Sequence, residues 1–304
     1  MNNCLTAAAM AFVLAVPALT MVRRLAIHWK LYDGSGPLKT HSHPIPRLGG
    51  LALVPAVVAG WYGATGALNA REGAFLLALT IVWVAGAIDD LRGLSPMIRL
   101  AAQSAASVVL LSGGYRLAGP WPVALSPLVT FALVIVFVNA FNFLDGSDGL
   151  AGGTAAAIAA GYLLLGATAM GTSGAAVMAA LIGAGLAFLL YNFPPANMFM
   201  GDAGSTGLGF LLAVGAMEFS AGVVARRLWV VPFVVAAIPL LDFMATIARR
   251  AARGRSIFQA DRGHYYDVLL AHGWTPRRVA LSTYGATSVL ITLGYMLLSY
   301  GSRI

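Results

Sequence analysis

The sequence has one cysteine and very little charge. Cys4 alone permits no internal disulfide, no CxxC pair and no cysteine-based zinc site. Asp, Glu, Lys and Arg make up only 10% of the 304 residues, against about 25% in an ordinary soluble domain. Several nucleotide and metal signatures are also missing. "GSGPLKT" at 34–40 fails the spacing of a phosphate-binding P-loop, no Gly-rich dinucleotide fingerprint follows a strand, and HExxH is absent. There is no internal repeat, low-complexity segment or polar tract of domain size.

Hydrocarbon is what the sequence has in quantity. Hydrophobic residues are 59% of the chain and recur in runs near 20 residues, the length a helix needs to cross a bilayer. The spacing predicts ten spans near 4–22, 48–68, 72–88, 98–114, 123–138, 150–168, 174–191, 204–222, 229–248 and 279–300. Lipid-exposed backbone must satisfy its own hydrogen bonds, so the spans are expected to be helices. The fold class is therefore an all-α polytopic membrane protein, one unit over 1–304. The first run lacks a basic lead-in and is long, so it is expected to be a retained span and not a cleaved signal peptide.

The net charge of +8 does not by itself imply nucleic acid. Loops after the odd-numbered spans hold 14 of the 19 Lys and Arg residues, counting Arg99 just beyond, and those after the even-numbered spans hold 5. By the positive-inside tendency the first set is cytoplasmic and both termini are outside. Acids follow the same split, although that tendency barely concerns acids. Asp33, Asp89, Asp90, Asp145, Asp148, Asp202, Asp261 and Asp267 all fall on the Arg-rich side, and only Glu72 and Glu218 lie near the other. Asp242 sits inside the ninth span, where an ionisable residue has a partner or a proton-handling role.

Four acidic segments can thus meet at one depth: "GAIDDLRGLSP", "NAFNFLDGSDGLAGG", "NFPPANMFMGDAGSTG" and the basic loop with Asp261, Arg262, His264 and Asp267. A lone acid at a helix end is commonly a solvated cap. Adjacent Asp89 and Asp90 are harder to explain so, because close carboxylates repel unless a cation relieves them. Asn139, Asn142, Asp145 and Asp148 recur every third residue, a spacing that shares a helix face. Carboxylates beside Arg and His suit Mg²⁺, which takes one or two carboxylates plus phosphate oxygens, with arginines on the remaining phosphate charge. One phosphate would belong to a lipid and the other to a soluble compound.

These segments, with the early "HSHPIPRLGG", resemble the motifs of the polyprenyl-phosphate N-acetylhexosamine-1-phosphate transferases, in order, over about 40–278. The resemblance implies that a polyprenyl phosphate, undecaprenyl phosphate in bacteria, attacks the β-phosphorus of a UDP-N-acetylaminosugar and releases UMP. It implies Mg²⁺ as cofactor, with Mn²⁺ as a substitute, and a bacterial cytoplasmic membrane with the site on the face that the Lys and Arg bias makes cytoplasmic. No partner protein or oligomeric state can be read from the sequence, and a homodimer stays open. Carried over by motif, Asp202 is the main metal ligand, and Asp89 or Asp90 is base or metal partner beside the lipid phosphate. Asn142, Asp145 and Asp148 line the nucleotide side. His264 with Arg262 contacts the diphosphate or sugar, and Asn192 and Arg47 are further substrate contacts. The last loop, "FQADRGHYYDVLLAHGW", lacks the clustered histidines of the muramoyl-pentapeptide branch and resembles the branch that primes O-antigen or capsule glycans. Direct attack is favoured, with a phospho-aspartate route left open.

A proton- or cation-coupled transporter is the main rival, since membrane acids suit that role too. It predicts carboxylates near mid-bilayer in two repeated halves, and neither is visible. CDP-alcohol phosphatidyltransferases and prenyltransferases need more widely spaced aspartates. A membrane aspartyl protease needs two intramembrane acids, and only Asp242 qualifies.

Overall fold

The computed structural model describes residues 2–33, 44–66, 68–223, 228–256 and 262–301. Lys39, Arg226, Arg227, Asp261, Arg303 and positions 41–43 of the early motif lie outside the described residues. Twelve α-helices are described: α1 Asn2–His28, α2 Gly50–Thr65, α3 Ala70–Arg92, α4 Pro96–Ser112, α5 Ser126–Leu144, α6 Leu150–Gly166, α7 Gly171–Asn192, α8 Asp202–Val223, α9 Val231–Val235, α10 Ala237–Ala252, α11 Tyr265–Ala271 and α12 Pro276–Gly301. A two-residue antiparallel ladder, β1 Tyr32–Asp33 on β2 Ile45–Pro46, joins α1 to α2.

The all-helical membrane architecture agrees with the expectation from sequence. Five helices, among them Ala70–Arg92 and Gly171–Asn192, are long and apolar enough to span a bilayer, and Gly50–Thr65, Pro96–Ser112 and Leu150–Gly166 are shorter apolar helices. The protein is a multi-pass membrane protein. The expected ninth span, 229–248, is divided into α9 and α10. Pro239 explains the break: it cannot donate to the Val235 carbonyl, and its ring crowds that carbonyl. α7 is central, with 72% of its most apolar stretch buried against 22% in α1 and 17% in α12. The core around it holds Trp61, Phe137, Phe141, Tyr162, Phe188 and Phe210.

Local sequence sets where the helices stop. Asn69 and Glu72 form a reciprocal capping box at the start of α3. At its far end Gly93, with φ +71°, turns the chain out of the helix, and Ser95 with Pro96 starts α4 three residues later. Asp89 and Asp90 therefore occupy the last turn of a buried helix. α8 packs closely on its neighbours through small residues. A Cβ on Gly86 would lie 2.6 Å from Ala203 Cα, and one on Gly50 would lie 2.0 Å from Gly204 N. Small residues let backbones touch where no hydrophobic effect draws helices together.

Candidate active site

Three carboxylates meet where the C-terminal end of α3 touches the N-terminal end of α8, and they are held differently. Asp90 Oδ1 accepts the Asp202 N–H at 2.8 Å, and its Oδ2 accepts the Ala203 N–H at 3.0 Å. Asp89 Oδ1 accepts the Leu94 N–H at 2.6 Å. Asp89 Oδ2 is buried, makes no hydrogen bond, and lies 3.1 Å from Arg99 Nη1. The Asp202 carboxyl is within hydrogen-bonding reach of Asp89, and its Oδ1 accepts from Asn142 Nδ2 at 2.5 Å. Asp202 stands ahead of the apolar stretch 204–222. Burial, then the Asp90 and Asp89 charges, push its carboxyl up to about 7. Arg47 donates to the main-chain oxygen of Asp90.

The second constellation is built on α10 and α11. His264 Nδ1 lies 2.7 Å from Asp242 Oδ2, and Asp242 Oδ1 accepts the Tyr265 N–H at 2.9 Å. The imidazole stacks on Tyr266 with centroids 5.3 Å apart and planes 3° from parallel, and meets Phe143 edge-on at 5.4 Å. Asp242 therefore fixes both the ring and the start of α11, leaving Nε2 as the nitrogen available to a ligand.

Between α4, α5, α10 and α11 lies a cavity of about 540 Å³. Its polar wall includes Arg99, Asn142, Asp145, Arg250 and His264, and its apolar wall includes Leu100, Ile135, Phe243 and Ile247. Arg250 is buried at 4% exposure with its guanidinium 4.9 Å above the Phe143 ring. Inside the cavity Asn139 Nδ2 donates to Gln103 Oε1 at 2.7 Å.

The expected residues divide accordingly. Asp89, Asp90, Asp202 and Asn142 come together, and Asn142 contacts Asp202 itself. Asp145 and His264 line the cavity with Asn142. Asp89, Asp90, Asp202 and Arg47 adjoin the cavity through Asn142 and Arg99 without lining it, and Asp148 and Asn192 are not among the lining residues either. Asp148 accepts the Ala196 N–H at 2.9 Å; Asn192 accepts from Gly149 N and donates to Met198 O, both at 2.9 Å. Asp148 thus bonds to the backbone of the 193–201 loop and Asn192 to that loop and to the 145–149 loop, because short polar side chains can satisfy turn amides that no helix serves. Arg262 is exposed beside Asp267, outside the cavity lining. Burial raises the Asp267 carboxyl, and the charges of His264 and Arg262 oppose the shift.

Four cavity or site residues were not singled out as such by sequence: Arg99, Gln103, Asp242 as partner of His264, and Arg250. A polar residue within an apolar run is a signal for Gln103 and Asp242. Arg99 and Arg250 are hidden among the arginines that set topology.

Among the described residues no group of three or more His, Cys, Asp or Glu is placed to hold a metal ion. A site of two carboxylates completed by phosphate oxygens needs no third. Asp89 and Asp202 fit that pattern, since Asp89 Oδ2 is a buried oxygen held only by its ion pair with Arg99, with no hydrogen bond.

Asparagine at 242 is expected to lower kcat about 10- to 100-fold, the usual cost of losing the group that orients a functional side chain. An amide presents a donor to Nδ1 and favours the wrong tautomer. Turnover at several pH values checks this; an unchanged kcat would remove His264 from the chemistry.

Carboxylates and guanidinium groups gathered at one end of a helical membrane bundle, beside a cavity with one apolar wall, define a membrane-embedded enzyme that handles anions next to lipid. The glycosyl transferase family 4 model matches residues 73–220. The chain is 32% identical over 292 residues to a decaprenyl-phosphate N-acetylglucosaminephosphotransferase of Mycobacterium tuberculosis, covering 80% of this chain and 70% of that one. It is 30% identical over 299 residues to an undecaprenyl-phosphate alpha-N-acetylglucosaminyl 1-phosphate transferase of Salmonella typhi, covering 93% and 81%. Its identity to the Escherichia coli protein of that name is 29% over 306 residues, covering 94% and 81%. The chain belongs to the polyprenyl-phosphate N-acetylglucosamine-1-phosphate transferase family. The transporter reading finds no support in these likenesses.

Proposed function

We propose that the protein transfers an N-acetylaminosugar 1-phosphate from a UDP-sugar to undecaprenyl phosphate or a similar polyprenyl phosphate at the cytoplasmic face of a bacterial inner membrane. A phosphate oxygen of the lipid attacks the β-phosphorus of the UDP-sugar. The bond from that phosphorus to the bridging oxygen breaks, and UMP leaves with the electron pair. The nucleophile is already anionic near neutral pH, so the site's task is to offset charge and hold the groups in line. The observation that carries this reading is the cavity, which runs from Arg99, Arg250 and His264 to an apolar wall. A polyprenyl phosphate has that same division between charged head and hydrocarbon.

In this reading Arg99 and Arg250 bind phosphate oxygens, and His264 Nε2 contacts the diphosphate or the sugar. Asn142 holds Asp202 in place, and Asp145 lies on the nucleotide side. Asp202 and Asp89 would hold Mg²⁺, with Mn²⁺ as a substitute, and the cation when bound would neutralise charge developing on the leaving phosphate. Ten spans are counted with α9 and α10 as one broken span, and the 14-to-5 bias of Lys and Arg supports a cytoplasmic site. The relatives' names make UDP-N-acetylglucosamine the first donor to test. The last-loop pattern supports a role in starting an O-antigen- or capsule-type glycan.

Purified protein in detergent should release UMP only when undecaprenyl phosphate, Mg²⁺ and one UDP-N-acetylaminosugar are all present. Chelation with EDTA should stop release, and added Mg²⁺ or Mn²⁺ should restore it. Release without the lipid phosphate would mean hydrolysis and not transfer. Folded protein inert toward every donor, and binding neither UDP nor UMP, would reject the proposal.

A further inference from the structure

The adjacent aspartates of "GAIDDLRGLSP" have unlike surroundings. Asp89 has one oxygen on the Leu94 N–H and the other, buried, ion-paired with Arg99 at 3.1 Å, and its carboxyl lies within reach of Asp202. Asp90, 4% exposed, has each oxygen on a backbone amide of the next functional segment, 2.8 Å from Asp202 N and 3.0 Å from Ala203 N. We infer that Asp90 is a positioning residue, which aims Asp202 by capping α8 from another helix. The inference rests on the reading of Asp202 as a working carboxylate of the site.

A helix start leaves its first N–H groups without intrahelical partners. The residue before α8 is Gly201, which has no side chain to serve them and adopts φ +77°. The space a side chain would need is filled by Asp90 itself: a Cβ on Gly201 would lie 2.7 Å from both its carboxylate oxygens. Gly86, one turn earlier on α3, lets that helix come close enough to deliver the cap. A carboxylate is also the charge that a helix N-terminus favours. Arg47 steadies Asp90 from behind by donating to its main-chain oxygen. The same early motif holds the loop before Asp202 through Phe199 N to Pro46 O at 2.8 Å, Gly49 N to Phe199 O at 3.0 Å and Gly50 N to Met200 O at 2.8 Å. Asp90, Arg47 and Gly201 form one frame, with Asp202 the side chain it presents.

The test compares Asp90→Asn, Asp90→Ala and Asp202→Asn in the full chain. The readouts are amide hydrogen exchange over 199–206, kcat and KM for the sugar nucleotide, and the Mg²⁺ concentration for half-maximal rate. Asparagine keeps an acceptor for one of the two amides, so the effects should be graded. Asp90→Asn is expected to lose about 10- to 100-fold in kcat with KM little changed, and Asp90→Ala about tenfold more. Exchange at 202–203 should quicken in the same order. Equal inactivity of both variants with unchanged exchange would make Asp90 a direct ligand or base and overturn the inference. If Asp90→Ala does not fold, unchanged exchange in Asp90→Asn is enough to reject it. Full activity of Asp202→Asn would instead remove the reading of the site, a separate failure that the exchange data do not share.

Discussion

Asp202→Asn is expected to reduce UMP release by about a thousandfold or more, equivalent to about 4 kcal/mol in the barrier. Asn142 donates to Asp202 Oδ1, and Asp89 lies within reach of the same carboxyl. The amide is nearly isosteric but neutral, so it removes charge where a cation and a diphosphate would have to be balanced. The fold should persist, because the α8 cap is the Asp90 carboxylate, which accepts from the backbone of Asp202 and Ala203 and does not involve the Asp202 side chain. An unchanged thermal midpoint in detergent with lost turnover is the expected pair of results. The elevated affinity of Asp202 for a proton adds a pH signature. Its carboxyl is held up to about 7 by burial and two neighbouring acids, so below that pH a proton competes with the cation. The Mg²⁺ needed for half-maximal rate should rise about tenfold for each pH unit lost. A flat Mg²⁺ requirement between pH 6 and 7.5 would show that Asp202 is not the competing ligand.

Asp89→Asn is expected to be comparably damaging, again about a thousandfold. Oδ1 is committed to the Leu94 N–H, which an amide oxygen can still accept. The loss falls on Oδ2, the buried oxygen with no hydrogen bond beside Arg99. An NH₂ group there would face a guanidinium and offer no electron pair to a cation. Arg99→Ala should cost less, about 10- to 100-fold, and should act mainly through KM for the lipid phosphate, since a clamp on one substrate contributes binding more than rate. Steady-state kinetics with the lipid and the donor varied separately distinguish the two. If Asp89→Asn kept a tenth of the activity, the two-carboxylate cation site would have to be abandoned.

The membrane architecture and the set of acidic segments were legible in the sequence because hydrocarbon length and the spacing of acids are local patterns. That Asp89, Asp90 and Asp202 meet followed from their shared side of the bundle. Their different surroundings did not follow, because Asp90 is distinguished from Asp89 only by which backbone amides lie opposite, a property of how α3 crosses α8. Asp148 and Asn192 showed the same limit, since an acid in a glycine-rich loop or an amide at a helix end looks alike whether it faces a cavity or another loop. Arg250 and Arg99 were obscured for another reason: a membrane protein needs arginines on that side in any case. The break between α9 and α10 could have been anticipated at Pro239, but a continuous apolar run hides it from hydropathy alone.

That break divides the site into halves of unlike tolerance. On one side α2, α3 and α8 touch backbone to backbone through Gly50, Gly86 and Gly204, and even a methyl group there must displace main chain. On the other side α10, which follows the break, carries Asp242 and Arg250, and the 262–272 segment beside it buries His264 and Tyr266 but leaves Arg262, Val268, Ala271 and His272 exposed. In the proposed reaction, those exposed positions are the ones where change can accumulate without displacing the carboxylates. A library directed at that half should yield enzymes with altered sugar preference, while the same mutational load on the glycine-packed half should yield mostly inactive protein.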